Sequence, residues 1–316
     1  INGTLVDVRH LPVSGSEGEL EVVAPYSFQG SIALYQFGHY QSAYPGYSTD
    51  VTRVSVTSDT DSTNLGDFGG STGGSTNHSN EAGYQQNGSP NNASTRKFNF
   101  ASETPGVENI AHSSLYSWSG GASTAGYGYF TNNTTNRKFP FASVLPTINT
   151  GSLPSNRQRN PAVNASLTHG YYSGGGTGPG GNTGVDTILK YPFASDTDVT
   201  DVAELTNNRR KEAGGSSSET HGYVMGGEAP NSYTISVEKF PFSSDSPSTT
   251  IINSGFARRG TAGSSTTHGY LLGGLPGNYV TTDIKKHSFT NDSEVTTVGS
   301  LSADSTGSDQ SHCANN

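Results

Sequence analysis

The chain has 316 residues, of which only 30% are hydrophobic, with 17 Lys and Arg against 26 Asp and Glu. It contains no apolar run of about 18 residues that would read as a membrane-crossing helix. The net charge of −9, with its basic residues scattered or in short pairs, excludes a nucleic-acid face built on massed cations. Leu, Ile, Val and Phe together number 56, roughly 18% of the chain and below the ~20% share at which disorder is suspected. The small net charge argues against a self-repelling coil. Such a chain folds only if its few apolar residues are placed economically, as in a repeated unit. Cys313 is the single cysteine, which excludes an intrachain disulfide and a Cys-based zinc site.

In chain order, residues 1–24 alternate in places and read as an extra strand or a connection, with no basic-then-apolar leader. A start at Ile1 reads as a processed product or a piece of a longer polypeptide. Residues 25–316 are expected to form one domain. SIALYQFGHYQSAYP (31–45) is the end half of a unit that lacks its start. RVSVTSDTDSTNLGDF follows at Arg53, and KFNFASETPGVENI at Lys97. KFPFASVLPTINTGSL begins at Lys138, KYPFASDTDVTDVAEL at Lys190, KFPFSSDSPSTTIINSG at Lys239 and KHSFTNDSEVTTVGSL at Lys286. Between them recur THGYYSGGG at Thr168, THGYVMGGE at Thr220 and THGYLLGGL at Thr267. EAGYQQNG at Glu81, AGYGYFTNN at Ala125 and SHCANN at Ser311 are degraded forms.

Alternation in KFPFAS is the period of a strand. The short apolar run in HGYVMGG suits a strand buried on both faces. Its closing glycines permit positive φ or close backbone approach. No stretch carries helical spacing of apolar residues. Each unit of 41 to 52 residues therefore predicts about four short antiparallel strands. About six such units predict an all-β propeller, whose closure leaves few free edges. The unpaired halves at the two ends predict one composite blade made from both termini. That gives six blades, or seven if Ser311–Asn316 adds one.

The run HGYVMGGEAPNSYTISVEKFPF…ARRG…HGYLLGG resembles the kelch repeat. Gly226 and Gly227 fill the Gly pair, Val237, Glu238, Lys239 and Phe240 the next strand, and Arg258 or Arg259 the downstream arginine. The kelch tryptophan is missing, since Trp118 is the only one. The joined KFPFASD…THGYxxGG pattern, best at Lys190–Gly227 and Lys239–Gly274, resembles repeats in structural proteins of marine bacteriophages, including those of cyanobacteria. That resemblance implies a virion component: a tail, fibre or particle-decoration protein. Its implied partners are other virion proteins, copies of itself and host-surface glycans, with no nucleic acid and no membrane insertion. The alternatives are a bacterial adhesin or filament subunit at the cell surface or secreted, and a glycan-acting enzyme.

The repeat motif His169, Gly170, Tyr171; His221, Gly222, Tyr223, Gly226, Gly227; and His268, Gly269, Tyr270, Gly273, Gly274 is expected to be structural. A histidine ring could bind metal near an axis, but equivalent positions repeat simply because blades repeat. Arg157, Arg159, Arg209, Arg210, Arg258 and Arg259 recur by blade and are expected to pair between blades. Asp196, Asp198, Asp201, Asp59, Asp61 and Asp67 suggest oxygen-rich calcium loops, but Asn64 stands where an EF-hand glycine belongs, so they read as Asx turns. No G-x-S-x-G, H-E-x-x-H or P-loop occurs, so no enzyme and no cofactor are expected. Polar segments 69–95 and 119–137 read as long loops. Their Asn77, Tyr84, Gln85, Gln86, Asn91, Asn92, Tyr127, Tyr129, Asn132 and Asn133 are binding candidates, because Tyr with amides suits sugars. Far-UV circular dichroism is expected to show a β spectrum; helix above ~20% would contradict this fold.

Overall fold

The computed structural model of the chain describes residues 26–40, 47–68, 75–86, 94–104, 108–111, 121–144, 147–157, 161–177, 183–209, 213–229, 232–253, 255, 260–274, 281–292, 295–305 and 312–315. Every regular element among them is a strand. They form a six-bladed β-propeller.

Blade 1 holds β1 (Ala33–Tyr40), β2 (Tyr47–Ser55) and β3 (Thr63–Asp67). Blade 2 holds β4 (Thr76–His78), β5 (Ala82–Gln86), β6 (Ser94–Asn99) and β7 (Glu108–Ala111). Blade 3 holds β8 (Gly121–Ser123), β9 (Tyr127–Pro140) and β10 (Ile148–Arg157). Its β9 fills both middle positions, setting Tyr129 opposite Ala122 at one end and Lys138 opposite Ile148 at the other. Blade 4 holds β11 (Ala162–Ala165), β12 (His169–Ser173), the short β13 (Gly176–Thr177), β14 (Thr183–Pro192) and β15 (Thr200–Arg209). Blade 5 holds β16 (Gly214–Ser217) and β17 (His221–Met225), then a small hairpin of β18 (Glu228–Ala229) and β19 (Ser232–Tyr233). It ends with β20 (Ser236–Pro241) and β21 (Thr249–Asn253). Blade 6 holds β22 (Thr261–Ser264), β23 (His268–Gly274), β24 (Thr281–Ser288) and β25 (Thr296–Ser305). The last strand, β26 (His312–Asn315), returns to blade 1 and pairs antiparallel with β1, Ala33 opposite Asn315 and Gln36 opposite His312. The ring is thus closed by strands from both ends, and the count is six because β26 completes blade 1.

The motif explains how blades adhere. The tyrosine on the second strand of each blade lies between the two residues that flank the central position of the next blade's K-F-x-F run. Tyr35 meets Phe98 and Phe100, Tyr84 meets Phe139 and Phe141, and Tyr129 meets Tyr191 and Phe193. Tyr171 meets Phe240 and Phe242, and Tyr223 meets His287 and Phe289. The centroid distance to the second ring is 4.6–5.0 Å in all five. At the last boundary Tyr270 shares a buried cluster with Val54 of blade 1, and Val56 packs against that cluster. Six clamps therefore run head to tail around the ring.

The glycine of H-G-Y has a steric cause. A Cβ on Gly222 would stand 2.3 Å from the Phe240 ring, and one on Gly170 would stand 2.2 Å from Tyr191. In blades 3 to 6 the first ring of the run lies against its own blade's glycine, Phe139 at Gly128, Tyr191 at Gly170, Phe240 at Gly222 and His287 at Gly269, and from there reaches the neighbouring tyrosine. The Gly pair after this strand takes positive φ: Gly226 and Gly227 at 60° and 111°, Gly273 and Gly274 at 61° and 128°.

Polar bonds reinforce the same seams. In five of the six units the opening basic residue pairs with the acid six positions after the equivalent residue of the next blade. These pairs are Arg53–Glu103 at 3.0 Å, Lys138–Asp196 at 2.7 Å, Lys190–Asp245 at 2.9 Å, Lys239–Asp292 at 2.8 Å and Lys286–Asp59 at 2.6 Å. All are partly exposed, so each contributes about 0–1 kcal/mol. Burying one tyrosine ring contributes ~2 kcal/mol, plus ~1 kcal/mol for the aromatic pair. The clamp therefore dominates, and the ion pair fixes its register. Glu238 is fully buried and crosses the seam the other way, accepting from Thr206 N at 2.9 Å and Asn207 Nδ2 at 2.8 Å. Tyr171→Ala is expected to destabilise the ring by about 3–5 kcal/mol and Tyr171→Phe by under about 1 kcal/mol. Equilibrium denaturation of both variants checks this, and equal losses would contradict the clamp.

Candidate functional site

The innermost strands β4, β8, β11, β16 and β22 surround the axis and carry small side chains. Gly121 and Gly215 let adjacent strands touch: a Cβ on Gly215 would lie 2.1 Å from Val163 O. Two amides lock this inner ring. Asn77 Nδ2 donates to Ala122 O at 2.6 Å and Tyr129 O at 3.0 Å in the next blade. Asn164 Nδ2 repeats this on Ser216 O at 2.6 Å and Tyr223 O at 3.0 Å. Serine hydroxyls of the following blade accept backbone N–H groups in the same layer, Ser123 from His78 and Ser217 from Ala165.

One mouth of the axis is stoppered by the segment leading into β1. Phe28 lines the axial space, Gln29 Nε2 donates to Ser217 O at 2.9 Å, and Gly30 N donates to Ser264 O at 2.8 Å. His78 Nε2 stands 3.4 Å from both Tyr26 Oη and Ser27 O. The space left around Phe28 is about 50 Å³, too small for a sugar or nucleotide.

Segments 69–95 and 119–137 are not single loops; they contain β4, β5, β8 and most of β9. Asn77, Tyr84, Gln85 and Gln86 are buried, because the blade repeat continues through this polar stretch. Asn77 bonds the next blade, Tyr84 is a clamp, Gln85 Nε2 donates to Phe37 O at 3.4 Å and Gln86 Oε1 accepts from Ser75 Oγ at 2.7 Å. Tyr129 is a buried clamp as well, with its hydroxyl pushed up to about 12 by burial and then by Asp196 and Tyr127. Tyr127 is exposed, its ring 4.9 Å from Lys138 Nζ. Asn132 and Asn133 lie within β9, and Asn91 and Asn92 fall outside the described residues.

The histidines do not converge. Each starts the second strand of its own blade and faces its own threonine, with Nδ1 to Oγ1 distances of 2.9 Å at His169, 2.8 Å at His221 and 2.8 Å at His268. Burial, then the nearby lysine, lowers the pKa of all three. Among the described residues no group of three or more His, Cys, Asp or Glu is placed to hold a metal. Asp196 and Asp59 serve the seam ion pairs, Asp198 and Asp61 accept Ser152 N and Ser300 N across seams at 2.8 Å and 2.9 Å, and Asp67 accepts from Thr49 Oγ1. Asp201 lies in β15. Arg157 and Arg209 end β10 and β15, while Arg159, Arg210, Arg258 and Arg259 fall outside the described residues. Sequence reading missed His78 and His287. The latter was visible as the histidine of KHSF in the place of a phenylalanine.

No protein-family model matches the chain, and no curated protein matches it.

The two buried histidines give a pH dependence. Burial lowers His78 from 6.5 to about 4 against the Ser27 carbonyl, and lowers His287 to about 4 with Asp292 opposing and His268 and Lys239 adding. The unfolded chain takes up these protons near 6.5 and the folded ring near 4. Stability is therefore complete above about pH 6.5 and falls between 6.5 and 4, by at most ~1.4 kcal/mol per pH unit for each histidine. His287→Phe is expected to flatten part of that slope in melting curves taken from pH 7 to 4; an unchanged slope would assign the loss elsewhere.

Proposed function

We propose that this chain is a non-enzymatic virion structural protein, a tail, fibre or decoration component of a bacteriophage that presents a rigid ring to a host surface or a neighbouring subunit. One observation carries the reading. The charged and aromatic residues of the repeat, the same residues that resemble the phage pattern, are used to bind blade to blade: the clamps, the five ion pairs and the buried Glu238 all lie on seams. A module that commits its chemistry to cohesion suits a mechanical and display role. We read the repeat as kelch-like on the same residues, Gly226–Gly227 and Val237–Phe240. Its partners in this reading are other virion proteins or further copies, with host glycans met at the blade edges near Tyr127.

The second reading is a bacterial surface adhesin or filament subunit with the same ring. Mass spectrometry of purified particles separates the two. Peptides of this chain at stoichiometric level in virions are expected; peptides confined to cellular appendages would move the assignment to the adhesin. Turnover of a surface polysaccharide that vanishes with one carboxylate substitution would replace both readings with an enzyme.

A further inference from the structure

One seam differs from the others. At the blade 2–blade 3 boundary, Lys97 occupies the place of Arg53, Lys138, Lys190, Lys239 and Lys286, each of which meets an acid of the next blade. Six positions after Lys138 of blade 3 stands Val144, where the other units carry Asp or Glu. Val144 turns into the core with Phe130, Phe139 and Phe141. Its φ of 60° is close to the 46° of Glu103 and 49° of Asp292, two of the five acids at this position. Ala82 stands where His169, His221 and His268 begin the equivalent strand, as Ala33 does in blade 1 and Tyr127 in blade 3.

The result is an open cleft of about 380 Å³, lined by Tyr26, Asn80, Glu81, Tyr84, Lys97 and Ala142 among others. Among the described residues no ion pair forms with Lys97. The seam thus keeps the cation of the repeat and replaces its carboxylate with space. The exposed Glu81 carboxylate lines the same cleft and offers acceptors for hydroxyl donors. A charge-assisted bond to a carboxylate and acceptors for hydroxyls define the ligand chemistry. We propose that this cleft binds a hexuronate-type acidic sugar, its carboxylate taking the position that Asp or Glu holds on Lys97-equivalent cations at the other five seams. The proposal rests on this seam's geometry and is independent of the virion assignment.

Glu108 is the register partner of Lys97, where other blades place Thr or Ile. Glu108→Thr removes the acid at that register position. NMR titration of the full chain with sodium glucuronate, and with glucose as the neutral control, reads the site. Expected are saturable shifts at Lys97 and Glu81 with glucuronate, at least tenfold stronger than with glucose. Lys97→Met is expected to weaken glucuronate at least tenfold, and Val144→Asp to abolish it by supplying the missing carboxylate. Glu108→Thr is expected to leave binding unchanged or tighten it. Acetate tests the bare carboxylate and is expected to bind at least tenfold more weakly than glucuronate; equal affinity would overturn the sugar assignment. Equal response to glucose and glucuronate, or full binding by folded Lys97→Met, would overturn the site. If Val144→Asp fails to fold, the Lys97→Met comparison still decides. Virion proteomics does not depend on any of these results, so either conclusion fails alone.

Discussion

A tyrosine held between two side chains of the next sheet is the contact from which the rest of this molecule follows. A four-stranded sheet has two faces to cover, and a chain with so few aliphatic residues cannot cover them with Leu and Ile. Large rings solve the shortage: one Tyr and a pair of Phe cover a whole seam. The glycine before Tyr129, Tyr171, Tyr223 and Tyr270 is then required, because the first ring of the same blade lies over it. The lysine and the acid beyond follow in turn, since they hold the two edges at the spacing the rings need.

That logic shows where the pattern bends. His287 replaces a phenylalanine between Tyr223 and Phe289 and brings a titratable ring into a dry seam. Blade 1 closes with Val54 in the buried cluster of Tyr270 and Val56 packed against it, a smaller aliphatic contact at the boundary joining the last blade to the first. Blade 3 loses its acid to Val144, and an open cleft takes its place.

The blade and its closure were legible in the sequence because both depend on spacing. KYPF, KFPF and KHSF fix the third strand, and T-H-G-Y fixes the second. The unmatched halves at Ser31 and Ser311 pointed to a composite blade, and β1 pairs with β26 accordingly. Composition misled where spacing was weaker. The stretch 69–95, rich in Asn, Gln, Ser and Gly, looks like solvated loop, yet EAGYQQ keeps the glycine and tyrosine of the motif, and its Gln85 and Gln86 are buried with backbone and hydroxyl partners. Amides are tolerated inside when each finds a bond, and hydropathy cannot register that. The stopper at Tyr26–Gly30 and the Lys97 cleft were not legible, because each depends on which residues meet across the ring. The absence of an acid at Val144 signals something only after its five counterparts are seen paired.

The pairing of Ala33 with Asn315 also sets how the ring responds to mechanical tension. The start of β1 and the end of β26 lie side by side in an antiparallel pair, so a load applied to both ends peels that pair one hydrogen bond at a time instead of shearing all of them together. Before that peeling begins, the load on the leading side must first withdraw Phe28 and Gln29 from the axis.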